Sequence, residues 1–268
     1  MLRHMVWGTV LVGAAGCVAP PEAPQELGEL SRYLFREWDN PDPRVMSAGL
    51  QQLESFLTDV DLDDDAKDRS WVVEDLVAGD VHDIERPEDR NLADCLGVSV
   101  SGLSRWNIED HARLQTEVDQ TITEPTANAY ERLFPELEDP SCFWDGSCPR
   151  LLTVNDARRS NFLMGVDFVL YKDMQWVELS EGRRGISGRS WFAESFEGDS
   201  GGAMLYQTYA IDLWMERDAA TTWRYQVVWS ESDVGPFGDD TVIATIRNGT
   251  DAIFRAGESA IEELYHTQ

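Results

Sequence analysis

The sequence predicts an α+β protein in which an antiparallel β meander packs on a long C-terminal helix and is preceded by an N-terminal helical hairpin. Three observations carry this. Apolar residues between Leu27 and Leu57 recur at three- and four-residue steps. From Asn161 to Ser230 the apolar period changes to two, and from Thr241 to Tyr265 it returns to a helical one. An apolar content of 42% with ten Trp and ten Phe is that of a folded globule and excludes a disordered chain.

In chain order, Leu27, Leu30, Leu34 and Trp38 line one helical face, DNPDP (39–43) interrupts it, and Met46, Leu50, Leu53 and Leu57 resume it. This reads as an αα-hairpin over 26–58, whose single apolar face must pack on something. Residues 59–268 form the α+β domain. WVVEDLV (71–77) and CLGVSVSGLS (95–104) read as strands, Asn107–Gln120 as a polar helix, and Ala127–Leu137, carrying Tyr130, Leu133, Phe134 and Leu137, as a further helical piece. Phe162, Met164, Val166, Phe168 and Leu170 alternate, and Met174–Leu179 follows across a Lys-Asp turn as a hairpin. Ile186–Phe196 is the next strand. Leu205, Tyr209, Ile211, Leu213 and Met215 share one face of a longer one. Trp223, Tyr225, Val227 and Trp229 alternate cleanly with Thr222, Arg224, Gln226 and Ser230. The last helix starts at an Asp240 N-cap and lines up Ile246, Gly249, Ile253, Gly257, Ala260 and Leu264. Two glycines on that face imply close approach to a curved sheet.

The first seventeen residues, MLRHMVWGTVLVGAAGC, say where the protein resides. A basic start leads into an apolar run too short to span a bilayer, then small residues before Cys17. This resembles a bacterial lipoprotein signal peptide (1–16), which implies that Cys17 is lipidated and that its acyl chains hold the protein on the membrane. Val18 rather than Asp follows the cysteine, which resembles the outer-membrane sorting preference. An ordinary secretory signal cut nearby is the other reading. Residues 17–25, with three prolines between Val18 and Gln25, form a semi-stiff tether reaching about 25 Å.

Charge excludes two partner classes. Fifty acidic against 22 basic side chains give a net charge of −28. Such a surface repels phosphate backbones, so no nucleic acid is expected, and it offers no basic patch for anionic headgroups. Cys142 and Cys148 bracket a short FWDGS loop able to close a disulfide in an oxidising envelope; a metal pair is the rival, without zinc-like spacing or a nearby His. Cys95 lies in an apolar stretch and reads as a buried thiol.

Chemistry-bearing strings are few. Asp59, Asp61 and Asp63 have the first three ligand spacings of an EF-hand loop, but the expected Gly is Asp64 and the closing Glu is Ser70, which favours a solvated acidic linker over a calcium site. GDSGG (198–202) resembles the nucleophile loop of trypsin-like serine proteases, which would make Ser200 the nucleophile. His82 and His111 lack that family's context for the base, and the string also reads as turn formers between strands. Arg183, Arg184 and Arg189 read as partners of local Glu rather than an anion site. No nucleotide-loop or zincin motif occurs, and no cofactor or resident metal is expected.

Trp176, Trp191, Tyr206, Tyr209, Trp214, Trp223, Tyr225 and Trp229 all fall on expected strands, filling a core between sheet and helix or lining a cavity. An early strand, intervening helices, antiparallel strands and a long last helix resemble, over about residues 95–268 and by element order alone, the START-related helix-grip fold. That resemblance implies an apolar ligand space for a lipid, sterol or polyketide-like molecule and carries over no site residue. The function expected is non-enzymatic binding of a hydrophobic small molecule by an envelope lipoprotein. The alternatives are a serine hydrolase using Ser200 or a structural, partner-binding envelope protein.

Overall fold

Asp42 and Pro43 set the corner between the first two helices. The Asp42 carboxylate accepts the Arg44 backbone N–H at 3.1 Å, and Pro43 occupies the first helical position, where no donor is lost. Helix α1 (Leu27–Arg36) and helix α2 (Pro43–Leu57) form the expected hairpin. The computed structural model describes residues 22–61, 65–66, 68–160, 165–199, 203–233 and 238–267. Cys17, Asp63, Ser200, Phe162 and Met164 lie outside the described residues.

After the hairpin come β1 (Ser70–Val73), β2 (Leu96–Ser104), α3 (Ile108–Leu114), β3 (Ala127–Leu133), the single turn α4 (Ser141–Trp144), β4 (Arg150–Ser160), β5 (Gly165–Glu178), β6 (Arg184–Trp191), β7 (Phe196–Glu197), β8 (Met204–Glu216), β9 (Thr222–Asp233) and α5 (Asp239–Ile261). The strands form one antiparallel sheet in the order β1-β2-β9-β8-β6-β5-β4-β3, with β7 paired to β8. The architecture is α+β, an antiparallel meander with a long C-terminal helix and N-terminal helices, consistent with a helix-grip fold. Among the described residues no helix is long and apolar enough to cross a membrane.

Strand parity divides the sheet into two unlike faces. Tyr209, Ile211, Leu213 and Met215 of β8 and Trp223, Tyr225, Val227 and Trp229 of β9 share one cluster with Leu30, Leu34, Phe35, Trp38, Met46, Leu50, Leu53 and Leu57 of the hairpin. Burying each of these large side chains contributes about 1.5–3 kcal/mol. Most of their polar tips are met: Trp229 Nε1 donates to the Glu74 carbonyl at 2.8 Å, Trp38 Nε1 to the Ser187 carbonyl at 3.2 Å, and the Tyr225 hydroxyl meets Ser31 Oγ at 2.8 Å, while Trp223 Nε1 is buried without a partner. The largest apolar core therefore lies between the sheet and α1–α2, not between the sheet and the last helix.

Helix α5 covers the opposite face along β2. Gly102 makes room for it, since a Cβ there would meet the Phe254 ring at 2.9 Å. Its buried positions are Thr250, Asp251, Phe254, Gly257, Ala260 and Ile261. The expected stripe is therefore rotated: Leu264 is exposed, and a Cβ at Gly249 would meet nothing within 4 Å. Gly238, not Asp240, is the N-cap, leaving Asp239 and Asp240 to complement the dipole from the first turn.

Three further expectations are corrected. Ala127–Leu133 is a strand, because pairing with β4 and burial of Tyr130 and Arg132 override a helix-prone composition. No turn occurs at Lys172-Asp173; both lie in mid-strand β5, whose partner β4 the periodicity missed. The polar pair there looked like a turn because its ion-pair partners, Asp212 and Arg150, are far away in sequence. Leu205 parts from the Tyr209 face because a bulge between Leu205 and Gln207 turns it to the other side of the sheet, against the Phe168 cluster.

Candidate functional site

The α5 side of the sheet is built from the positions that alternate with the aromatic ones. Asp212 and Trp214 of β8, Arg224 and Gln226 of β9, Lys172 of β5, and Tyr130 and Arg132 of β3 all face it. Together with His111 of α3 and Gln115 at its C-cap, Gln120 and Glu124 of the following loop, and Phe254 and Gly257 of α5, they enclose a hollow of about 50 Å³. That is room for roughly three waters or the polar end of a small molecule. Apolar clusters lie at either end of it: Ile108, Phe143, Leu151, Met174, Ile186 and Trp214 on one side, and Phe168, Phe192, Val166 and Ala157 on the other.

Two ion pairs fix the hollow. Lys172 Nζ lies 2.7 Å from Asp212 Oδ2, and 5.3 Å from the centre of the Trp214 ring. Asp212 Oδ1 accepts from Gln226 Nε2. Arg159 pairs with Glu124. Burial, partly offset by Arg159 and Lys172, raises the Glu124 carboxyl above its usual range.

Arg132 and Arg224 are held by neutral acceptors instead. Arg132 Nε donates to Asn155 Oδ1 at 2.7 Å and its Nη1 to the Gln115 carbonyl at 2.7 Å. Arg224 Nη1 donates to the Phe254 carbonyl at 2.9 Å, with the guanidinium 4.1 Å from the Phe254 ring centre. Burial lowers the Arg132 guanidinium and brings Arg224 down to about 10, which leaves Arg224 charged at neutral pH. His111 Nε2 meets Ser104 Oγ at 2.7 Å; burial, then the Arg224 charge, holds the imidazole well below its ordinary value. Arg224 Nε, Trp214 Nε1 and Gln226 Oε1 are buried without a hydrogen-bond partner.

The residues singled out from sequence lie elsewhere. Cys142 and Cys148 form a disulfide that closes α4 and seats Phe143, whose carbonyl accepts Trp176 Nε1 at 2.7 Å. Cys95 is a free, buried thiol that burial pushes up to about 12. Asp59 sits in the turn after α2, while Asp61 borders a second hollow of about 190 Å³ with Leu57, Leu103, Arg217 and Trp223 on the opposite face. Among the described residues, no three His, Cys, Asp or Glu side chains gather as metal ligands. Beside Ser200, Asp199 pairs with Arg158. His82 Nδ1 meets the Gly79 carbonyl at 2.9 Å. Arg183 pairs with Glu54, Arg184 with Glu109, and Arg189 with Asp83. The polar layer was missed because Arg224 and Gln226 alternate with aromatics and so read as solvent-facing; one of only two lysines in mid-strand was the available signal.

No family model matches the chain, and no curated protein matches it in sequence. Solved structures that are similar include human StAR-related lipid transfer protein 5, 10% identical over 84% of this chain and 98% of that one, with a TM-score of 0.42. A STAR-related lipid transfer protein fragment from Xanthomonas axonopodis is 10% identical over 72% of this chain and 92% of its own, with a TM-score of 0.42. A START superfamily protein from Mycobacterium smegmatis is 11% identical over 63% and 98%, with a TM-score of 0.40. Likeness at this level adds nothing about ligand or activity.

Proposed function

We propose that this protein is a bacterial envelope lipoprotein, acylated at Cys17 and held on the outer membrane, whose body binds a hydrophobic small molecule between the sheet and α5 without catalysis. The observation that carries the binding reading is the hollow itself, together with the incompletely covered first half of α5. None of residues 239–249 is buried, although Val242, Ile243 and Ile246 are apolar. On the α5 side of the sheet, short side chains form one row, Val98, Val228, Ala210 and Ser190, ending at Lys172. An apolar ligand laid along this row would cover that surface and reach the hollow with its polar end. No observation among the described residues favours the hydrolase reading.

Native mass spectrometry of the full chain carrying Cys17→Ser, purified from its own envelope, tests this. An added mass lost on organic extraction is expected; a clean apo mass in every preparation counts against it. Loss of labelled palmitate incorporation in the same variant tests the anchor.

A further inference from the structure

We infer that the hollow beneath α5 receives the carboxylate head of an amphipathic ligand, with Arg224 and Arg132 as its countercharges. This rests on the reading of the hollow as a ligand site and names the chemistry it takes.

The charges on its walls do not balance. Its two carboxylates are committed, Asp212 to Lys172 and Glu124 to Arg159. Arg132 and Arg224 are each buried, at 3% and 6% exposure, and among the described residues neither has a carboxylate partner. An unpaired buried charge is costly, and here two guanidiniums face one small space. They occur in a chain of net charge −28, yet the nearby carboxylates, Glu258 and Asp212 for Arg224 and Glu124 and Asp212 for Arg132, stay beyond ion-pair distance. The lining, Lys172, Arg132 and Arg224 against Asp212 and Glu124, thus carries one surplus positive charge, and the two guanidiniums are hydrogen-bonded to carbonyl and amide oxygens while Glu258 and Asp212 act on Arg224 from beyond ion-pair distance.

The unpartnered atoms agree with an acceptor ligand. Arg224 Nε and Trp214 Nε1 are both donors, and both are buried without a partner. Gln226 Oε1, the unpartnered acceptor among the lining residues, is neutral and needs only a hydroxyl or a water. A guanidinium presents its N–H groups as a planar fork that matches a carboxylate. A hollow of about 50 Å³ admits that planar group more readily than the tetrahedron of oxygens on a phosphate. An attached hydrocarbon tail would leave past Lys172 along the short-side-chain row of Ser190, Ala210 and Val228.

Titration calorimetry on the full chain carrying Cys17→Ser, with decanoate, decanol and decyl phosphate, tests the assignment. Decanoate is expected to bind at least tenfold more tightly than decanol. Arg224→Met and Arg132→Met should each erase that preference, while Arg224→Lys keeps most of it; a merely structural role would lower both affinities together. If an Arg→Met variant does not fold, the wild-type comparison and Arg224→Lys still decide. Equal binding of decanoate and decanol overturns the inference and leaves the ligand site standing. A tenfold preference for decyl phosphate overturns the carboxylate assignment. Binding of none of the three overturns the small-molecule reading and the inference with it.

Discussion

Gly257 of α5 lies directly against Arg224 of β9: a Cβ at position 257 would stand 3.2 Å from the guanidinium Nη1. The absent side chain lets the helix close over a charged strand residue, and Arg224 in turn donates to the Phe254 carbonyl one turn earlier. The roof of the hollow is set by this contact.

The two helix glycines should therefore respond differently to alanine. Gly249→Ala meets nothing within 4 Å and gains helix propensity, so stability should rise by about 0.5–1 kcal/mol. Gly257→Ala makes the same gain but presses on Arg224, leaving a change near zero, and Gly257→Leu should cost about 1–3 kcal/mol by overpacking. Urea denaturation of the three variants checks this. An equal gain at both positions would remove the proposed close contact.

The helical hairpin should unfold together with the sheet. Leu50 is fully buried against strand residues, so Leu50→Ala should cost about 2–5 kcal/mol and lower one cooperative transition. Deleting 26–58 should expose Tyr209, Tyr225 and Trp229 and yield an aggregating body. A soluble, cooperatively folding body lacking 26–58 would show that the hairpin is dispensable.

His111 should give the protein an acid-sensitive stability. Its folded value lies well below 6.5, so the unfolded chain binds a proton that the native state refuses. Stability is then fully present above about pH 6.5 and is lost as pH falls toward the folded value, by at most about 1.4 kcal/mol per unit. His111→Gln should remove this component. Thermal melts at pH 7.5 and 5.5 measure it as the difference between wild type and variant.

Thiol accessibility should separate the three body cysteines. In the chain carrying Cys17→Ser, native alkylation should add nothing, because Cys95 is buried and its thiol is pushed up to about 12. Unfolding should release Cys95 alone, and reduction should then free Cys142 and Cys148. Removing that short bridge by Cys142→Ser should cost about 2 kcal/mol. Alkylation of Cys142 or Cys148 without reduction would contradict the disulfide.

Much of the fold was legible because it is written locally. The steps of Leu30, Leu34, Leu50 and Leu53 mark helices, and the alternation of Trp223, Tyr225, Val227 and Trp229 marks a strand wherever these segments end up. Alternation also separates two faces, but it assigns the polar one to water, which holds only when one side of a sheet is covered. Here both are. Asp212, Arg224 and Gln226 were therefore visible as residues and invisible as a site.

The sequence by itself determined the α+β class, the helical hairpin, the long last helix, the short disulfide loop and the buried Cys95, since each follows from near neighbours. Only the tertiary structure decided which face each layer covers, that Ala127–Leu133 joins the sheet, and that Lys172 and Asp173 lie in mid-strand. It also decided that Arg132 and Arg224 meet in one hollow. These depend on pairing between segments tens of residues apart, where the free energy of burial and ion pairing overrides local preference.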